Sequence, residues 1–355
     1  NDLWTTSPSS NDPFSAIMKT RGWTIAQMND FFGDWAMHNV TWDYKESAAA
    51  FRSAYGPITD TSRPERRNRL TRLQPLGSDY ASTRRFQSPF YQAPQRYGYN
   101  VVRLVPEAGK TTVTVKFRGV VQSGANSDWR WGLVSTNGAL TSARYSPLQK
   151  GSDGELTFCL TPGESLWLVV TGTPSVQKQI YWDQPYASIH RYPYLVELSG
   201  AWPEGYQNGA PDACPSGTVR HSNGGGCAPS NLASTVYVGP NARVLGGNVS
   251  GSSRIEDNAT ILAGATVSGG VVGALSVLSR FTVSGSATVK TSFYPPGFFE
   301  ASQGLSGTAT LFGDVEYRGA GLNRSSGSFS GFVDSNTANM SIADVTVAPP
   351  YAWRN

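Results

Sequence analysis

The sequence predicts a mostly β, multi-domain protein. It has a short N-terminal α-helical segment, a jelly-roll-like β-sandwich and a C-terminal parallel β-helix of hexad repeats. Three observations predict this. Apolar residues recur at helical spacing only before about residue 56. From about 97 to 205 the pattern has period two, broken by Gly, Pro and Asn. Beyond about 230, one branched apolar residue returns every five or six positions. At 355 residues, the chain also exceeds the roughly 250 to 300 at which a single core stops growing.

In the helical segment, residues 1–56, Asp12 followed by Pro13 reads as an N-cap with proline at the first helical position, and Gly22 closes that helix. Thr24 and Gln27 form a T-x-x-Q capping box for a second helix. Trp23 and Met28 are placed as a hydrophobic staple, and Ile25, Met28, Phe32 and Trp35 follow at helical spacing. A third helix spans 45–55 and ends at Gly56. Phe14, Trp23, Met28, Phe31, Phe32, Trp35 and Trp42 are more large apolar groups than one helix face hides. The segment therefore requires a partner surface, outside the chain or elsewhere within it.

Residues 57–96 read as an Arg- and Pro-rich linker or an irregular wrap over a neighbour. Arg63, Arg66, Arg67, Arg69 and Arg72, with Glu65 among them and Pro64 interrupting, read as a solvated connector. In the sandwich, 97–210, strands are expected at 100–105, 111–117, 129–131 and 165–171. Trp129 and Trp131 alternate, so they share a face, and with Tyr145, Trp182 and Tyr186 they could form a sugar-stacking platform. The same spacing describes sandwich core. Trp167 in SLWLVV shows the domain using tryptophan that way, so core is the preferred reading.

Cys214 and Cys227 bracket a Gly-, Ser- and Pro-rich loop within 211–229, which suits a disulfide and an exported, extracellular protein. Cys159, in ELTFCL, is expected to be a buried free thiol. In the last region, 230–355, Val238, Val244, Val249, Ile255, Ile261, Val267, Val272, Leu278, Val283 and Val289 follow at steps of six with three steps of five. One branched apolar residue per hexad is the pattern of a parallel β-helix, expected here to be left-handed.

The net charge of +4 is too small to make a phosphate-binding field, so nucleic acid is not an expected partner. No stretch reaches the 18 or so apolar residues of a membrane span. His38, His190 and His221 stand in no metal-binding spacing, and there is no G-x-S-x-G. Glu256 and Asp257 are adjacent, so they point to opposite faces and make no glycosidase dyad. A hexad acyltransferase needs a histidine base near the coils, and none follows His221. No catalytic residue is assigned, and no metal ligand.

The string LWTTSPSSNDPFSAIMKTRGWTIAQMNDFFGDWAMHNVTWDYK, then QRYGYNVVRLVPE, then SLWLVVTGTP with YPYLVELSGAWPEG, resembles the Svx and AvrXca type of secreted bacterial virulence protein, which look like gluzincin zinc metallopeptidases. The resemblance implies that an HExxH helix and a further helix supplying a glutamate ligand precede the segment corresponding to Asp12–Tyr44. Residues 1–56 would then be a helical remnant closing an upstream catalytic domain that holds zinc, with no cofactor in this chain. The implied function is the non-catalytic C-terminal part, positioning substrate or attaching to a surface. Its partners would be the upstream segment, or a separate chain carrying it, and an extracellular or cell-wall polysaccharide or protein. The alternative is a stand-alone extracellular polysaccharide-binding or structural protein.

Overall fold

The computed structural model describes residues 13–44, 47–55, 70–77, 79–89, 92–121, 126–137, 143–177, 191–274, 276–278, 281–291, 303–308, 310–318, 323–326 and 328–334. It is mostly β, with few helices and a C-terminal β-solenoid of about 3 turns.

The helices are α1 (Pro13–Arg21), α2 (Ile25–His38), α3 (Ala48–Tyr55) and the short α4 (Tyr80–Thr83). The capping box is present at α2: the Thr24 side chain accepts from the Gln27 backbone, and the Gln27 side chain accepts from the Thr24 backbone at 2.9 Å. Asp12 and Gly56, read as helix signals, lie outside the described residues.

The sandwich strands are β1 (Gln74–Pro75), β2 (Arg85–Gln87), β3 (Tyr99–Pro106), β4 (Thr112–Gly119), β5 (Ser127–Thr136), β6 (Ala143–Tyr145), β7 (Gln149–Lys150), β8 (Asp153–Cys159), β9 (Ser165–Pro174), β10 (Tyr194–Ser199) and β11 (Ala201–Pro203). One sheet runs β1-β2-β10-β4-β8, the other β11-β3-β9-β5-β6, with β7 also on β5. The chain crosses between sheets at β2 to β3, β3 to β4, β4 to β5, β7 to β8, β8 to β9, β9 to β10 and β10 to β11, which is the jelly-roll path. Part of the segment read as a linker is therefore sandwich: β2 pairs with β10 through Val196 opposite Phe86, and Phe86 is fully buried. A strand of three residues is too short to show period two. Arg63, Arg66, Arg67 and Arg69 lie outside the described residues.

Cys159 corrects one expectation. It is free but exposed. Along β8 the buried side chains are Leu156 and Phe158, so strand alternation turns Cys159 outward.

The outer face of the second sheet carries Val101, Val134, Trp167 and Val169, and α2 covers it with Ala36 and Met37. Close approach needs glycine on both sides. A Cβ on Gly33 would meet Arg130 Cβ at 2.6 Å, and one on Gly132 would meet Met37 Sδ at 2.7 Å. Above this, Met28 and Phe32 pack with Tyr97, on which Phe14 stacks at 4.1 Å. The helical segment thus has a partner surface within the chain.

Beyond the sandwich, β12 (Val219–Arg220) and β13 (Cys227–Ala228) lead into the coils. The coil strands are β14 (Tyr237–Val238), β15 (Arg243–Val244), β16 (Asn248–Ser250), β17 (Arg254–Ile255), β18 (Thr260–Ile261), β19 (Thr266–Ala274), β20 (Val277–Leu278) and β21 (Phe281–Thr291). Parallel pairing continues through β22 (Gln303–Leu305), β23 (Thr310–Arg318), β24 (Asn323–Arg324) and β25 (Ser328–Asp334). Val238 lies beside Ile255 and Ile255 beside Val272, so one coil takes 17 residues, three hexads less one. The other faces stack Val244, Ile261 and Leu278, and Val249, Val267 and Val283. Each predicted hexad position falls on one of these three inward stacks.

The first coil would expose its apolar end, and the disulfide loop covers it. Cys214 bonds Cys227, with Cα atoms 5.4 Å apart, and Cys227 pairs in parallel with Arg243. Inside this cap the buried His221 places Nε2 2.9 Å from the Val236 carbonyl. Tyr206, part of the sandwich core, donates to Asn241 Oδ1 at 2.5 Å and ties sandwich to solenoid.

Candidate functional site

The proposed tryptophan platform is not a surface. Trp129 and Trp131 are fully buried between the sheets: Trp131 stacks on Phe117 at 4.9 Å, and Trp129 Nε1 donates to the Tyr192 carbonyl at 3.1 Å. The face they share is the inner face of β5, which must be apolar to close the sandwich. Trp182, Tyr186 and His190 lie outside the described residues. Tyr145 lies elsewhere, on β6 beside α2.

A cleft of about 590 Å³ opens near Tyr145, between α2 and the segment that turns into α3. One wall is a stripe of α2, Phe31, Asp34, Trp35 and His38, which borders the packed face of Met28, Phe32 and Ala36; Trp35 lies on that border, its ring 5.3 Å from Phe32. The other wall is Trp42, Asp43, Tyr44, Ser47 and Phe51. Two aromatics of the first wall remain in water, Phe31 at 47% and Trp35 at 37% exposure. Across from them, Phe51 stacks on Trp42 at 5.7 Å and 10°, with Tyr44 edge-on at 5.4 Å.

Trp42 has φ of 52°, a left-handed conformation that costs a bulky residue about 1–3 kcal/mol. Its surroundings hold it there. Asp43 N–H donates to the His38 carbonyl at 3.0 Å, and Arg52 Nε donates to the Thr41 carbonyl at 2.7 Å.

His38 sits at the base of the cleft with its ring 4.2 Å from that of Tyr145. Its Nε2 is 3.8 Å from Asp34 Oδ1, and its Nδ1 is 3.7 Å from Asp43 Oδ2. Both exceed hydrogen-bond reach, and the buried Nδ1 has no hydrogen-bond partner among the described residues. Tyr145 donates to Asp43 Oδ2 at 2.9 Å, and Arg52 Nη2 stands 4.0 Å from Asp43 Oδ1. Burial, with Asp43 adding to it, pushes the Tyr145 phenol above its ordinary value. Burial and the neighbouring Tyr99 push Tyr44 up to about 12. Both phenols therefore remain protonated donors at neutral pH.

This arrangement can hold a ligand through aromatic faces, two carboxylates and an imidazole. It places no hydroxyl or thiol in hydrogen bond to His38 among the described residues. Those residues also contain no group of three His, Cys, Asp or Glu placed to hold a metal, so they do not fit a zinc centre. Glu256, on the coils, is tied to Arg254 and Lys290 at 2.7 and 2.8 Å.

The cleft escaped sequence reading because Trp35 and Trp42 have the same signature as core aromatics. The available signal was that α2 carries Phe31 beside the Met28, Phe32 and Trp35 stripe, a wider apolar surface than one packed face needs.

No helix of the described residues is long and apolar enough to cross a membrane. No curated protein matches the chain. Residues 1–205 match a family of unknown function, DUF6055, a span that holds the helices, the cleft and the sandwich and ends just after β11. That is more than half of the chain, and the protein is a member of the DUF6055 family.

Proposed function

We propose that the chain is the non-catalytic C-terminal part of a secreted, zinc-metallopeptidase-like virulence protein, and that the cleft between α2 and α3 positions its polymer ligand. The observation that carries this reading is the cleft itself. A concave aromatic surface with a few convergent polar groups, of a volume within the roughly 300–1,000 Å³ of small-ligand sites, is the usual form of a binding site. The strained Trp42 supports it, since such backbone cost is retained where geometry serves function. The helical segment's resemblance to the metallopeptidase family supplies the protein context. The disulfide is compatible with export.

Two measurements test the proposal. Intact mass and sequencing of the natural gene product should show an upstream HExxH segment, and that longer product should have zinc-dependent peptidase activity. Binding to peptides and to extracellular polysaccharides should be weakened by Trp35→Ala. A natural product that starts directly at the helical segment and binds only polysaccharide would replace this reading with the stand-alone binding protein.

A further inference from the structure

The charges around the cleft are uneven. The Asp34 side chain is 67% exposed, and its ion-pair contact is His38 at 3.8 Å. Asp43, 44% exposed, receives Tyr145 at 2.9 Å, while Arg52 stays at 4.0 Å because its Nε is engaged by the Thr41 carbonyl. Asp30, one turn back on α2, is taken by Arg130 and Lys150. The cleft thus offers one carboxylate with little neutralisation and one partly used, beside the exposed face of Trp35 and the stacked Trp42 and Phe51. Carboxylates set against aromatic faces suit a cation, because ring quadrupole and carboxylate both attract positive charge. They do not suit an anion, and they leave a neutral ligand without charge assistance.

We propose that the cleft takes a cationic side chain, lysine or arginine, presented by a protein partner, with Asp34 as its counter-ion and Trp35 and Trp42 as its aromatic walls. The inference rests on reading the cleft as the binding site and names the class of its occupant. The length of the cleft along α2, from Phe31 to His38, leaves room for neighbouring residues of an extended peptide.

Titration of the full chain with tetralysine, tetra-arginine, tetraglutamate and cellohexaose, read by tryptophan fluorescence and calorimetry, tests this. Binding is expected for the two cationic peptides, weakening as salt is raised, and none for tetraglutamate. Asp34→Asn and Trp35→Ala should each weaken it about three- to fivefold. Both positions are exposed on α2, and circular dichroism is to check that the variants fold. Cationic binding unchanged in both variants would place the peptides elsewhere and overturn the inference. Binding of cellohexaose alone, lost in Trp35→Ala, would overturn the cation and keep the cleft. No binding of any probe would overturn both.

Discussion

Arg130 on β5 donates from Nε to Asp30 Oδ1 on α2 at 2.6 Å, which makes the sheet and the helix one electrostatic unit. The guanidinium is only 5% exposed and also reaches Asp128 at 2.7 Å, while Lys150 binds the other Asp30 oxygen at 2.5 Å. Removing one partner of a buried pair costs about 3–5 kcal/mol, because it strands the other charge. Asp30 is a third exposed and keeps Lys150, so Arg130→Met should cost about 3 kcal/mol, at the low end of that range. Urea denaturation checks this, and a loss under about 0.5 kcal/mol would show that the pair does not hold the helix.

The same pair shapes the response to acid. Burial opposes ionisation of Asp30, but hydrogen bonds from Lys150 and Arg130 outweigh it and hold the carboxyl below its ordinary range. Glu197, gripped by Arg85 and Lys116, is lowered against burial in the same way. A folded-state pKa below the unfolded one stabilises fully above the unfolded value, about 4, and that stabilisation is lost as pH falls through the folded value. Stability should therefore be flat from neutrality to about pH 5 and decline below about 4.5. A denaturation midpoint that rises on acidification would contradict these ion pairs.

The solenoid was the most legible part of the chain because every coil repeats one demand: an inward branched side chain where three faces meet one core. Ile255, between Val238 and Val272, is fully buried. Ile255→Ala should cost about 3 kcal/mol in the coils, and Ile255→Val about 1. The two variants separate cavity from shape, and equal effects would mean that the stack is not close-packed.

Less was legible elsewhere, for physical reasons. Period two tells which side chains share a face but not whether that face meets water, so only the example of Trp167 favoured core over platform for Trp129 and Trp131, and the second sheet decides it. Parity along a strand likewise decided Cys159, which residue type alone put inside. The capping box at Thr24 was readable because its hydrogen bonds close within four residues. The cleft was not, since its two walls face each other only through the left-handed turn at Trp42, which the sequence does not announce.

The cysteines make separable predictions. Native protein should show one thiol reactive to an aromatic disulfide reagent without denaturant, at Cys159, and peptide mapping should link Cys214 to Cys227. Replacing both bonded cysteines by serine removes closure of a 13-residue loop, worth about 3 kcal/mol in the chain-entropy model. Because that loop covers the first coil, the loss should appear in solenoid unfolding more than in the sandwich. An equal drop in both would mean that the two parts unfold as one.

The last prediction concerns the helical layer. Its buried Met28, Phe32, Met37 and Val40 face Val101, Val134, Trp167 and Val169 of the sandwich or rings beside them. Burying each large side chain is worth roughly 1.5–3 kcal/mol, so stripping the layer exposes apolar area comparable with a domain's net stability of about 5–15 kcal/mol. A fragment of residues 57–355 should then aggregate or lose its cooperative transition, because the outer face of β5 and β9 becomes an open hydrophobic patch. Residues 1–56 alone should remain unfolded by circular dichroism, having lost that face. A fragment of residues 1–212 keeps helices, sandwich and the buried Tyr206, and should fold as a monomer with one transition. If residues 57–355 instead stay monomeric and melt cooperatively as the full chain does, the sandwich does not need its helical cover, and the layer's main partner must be sought outside the chain.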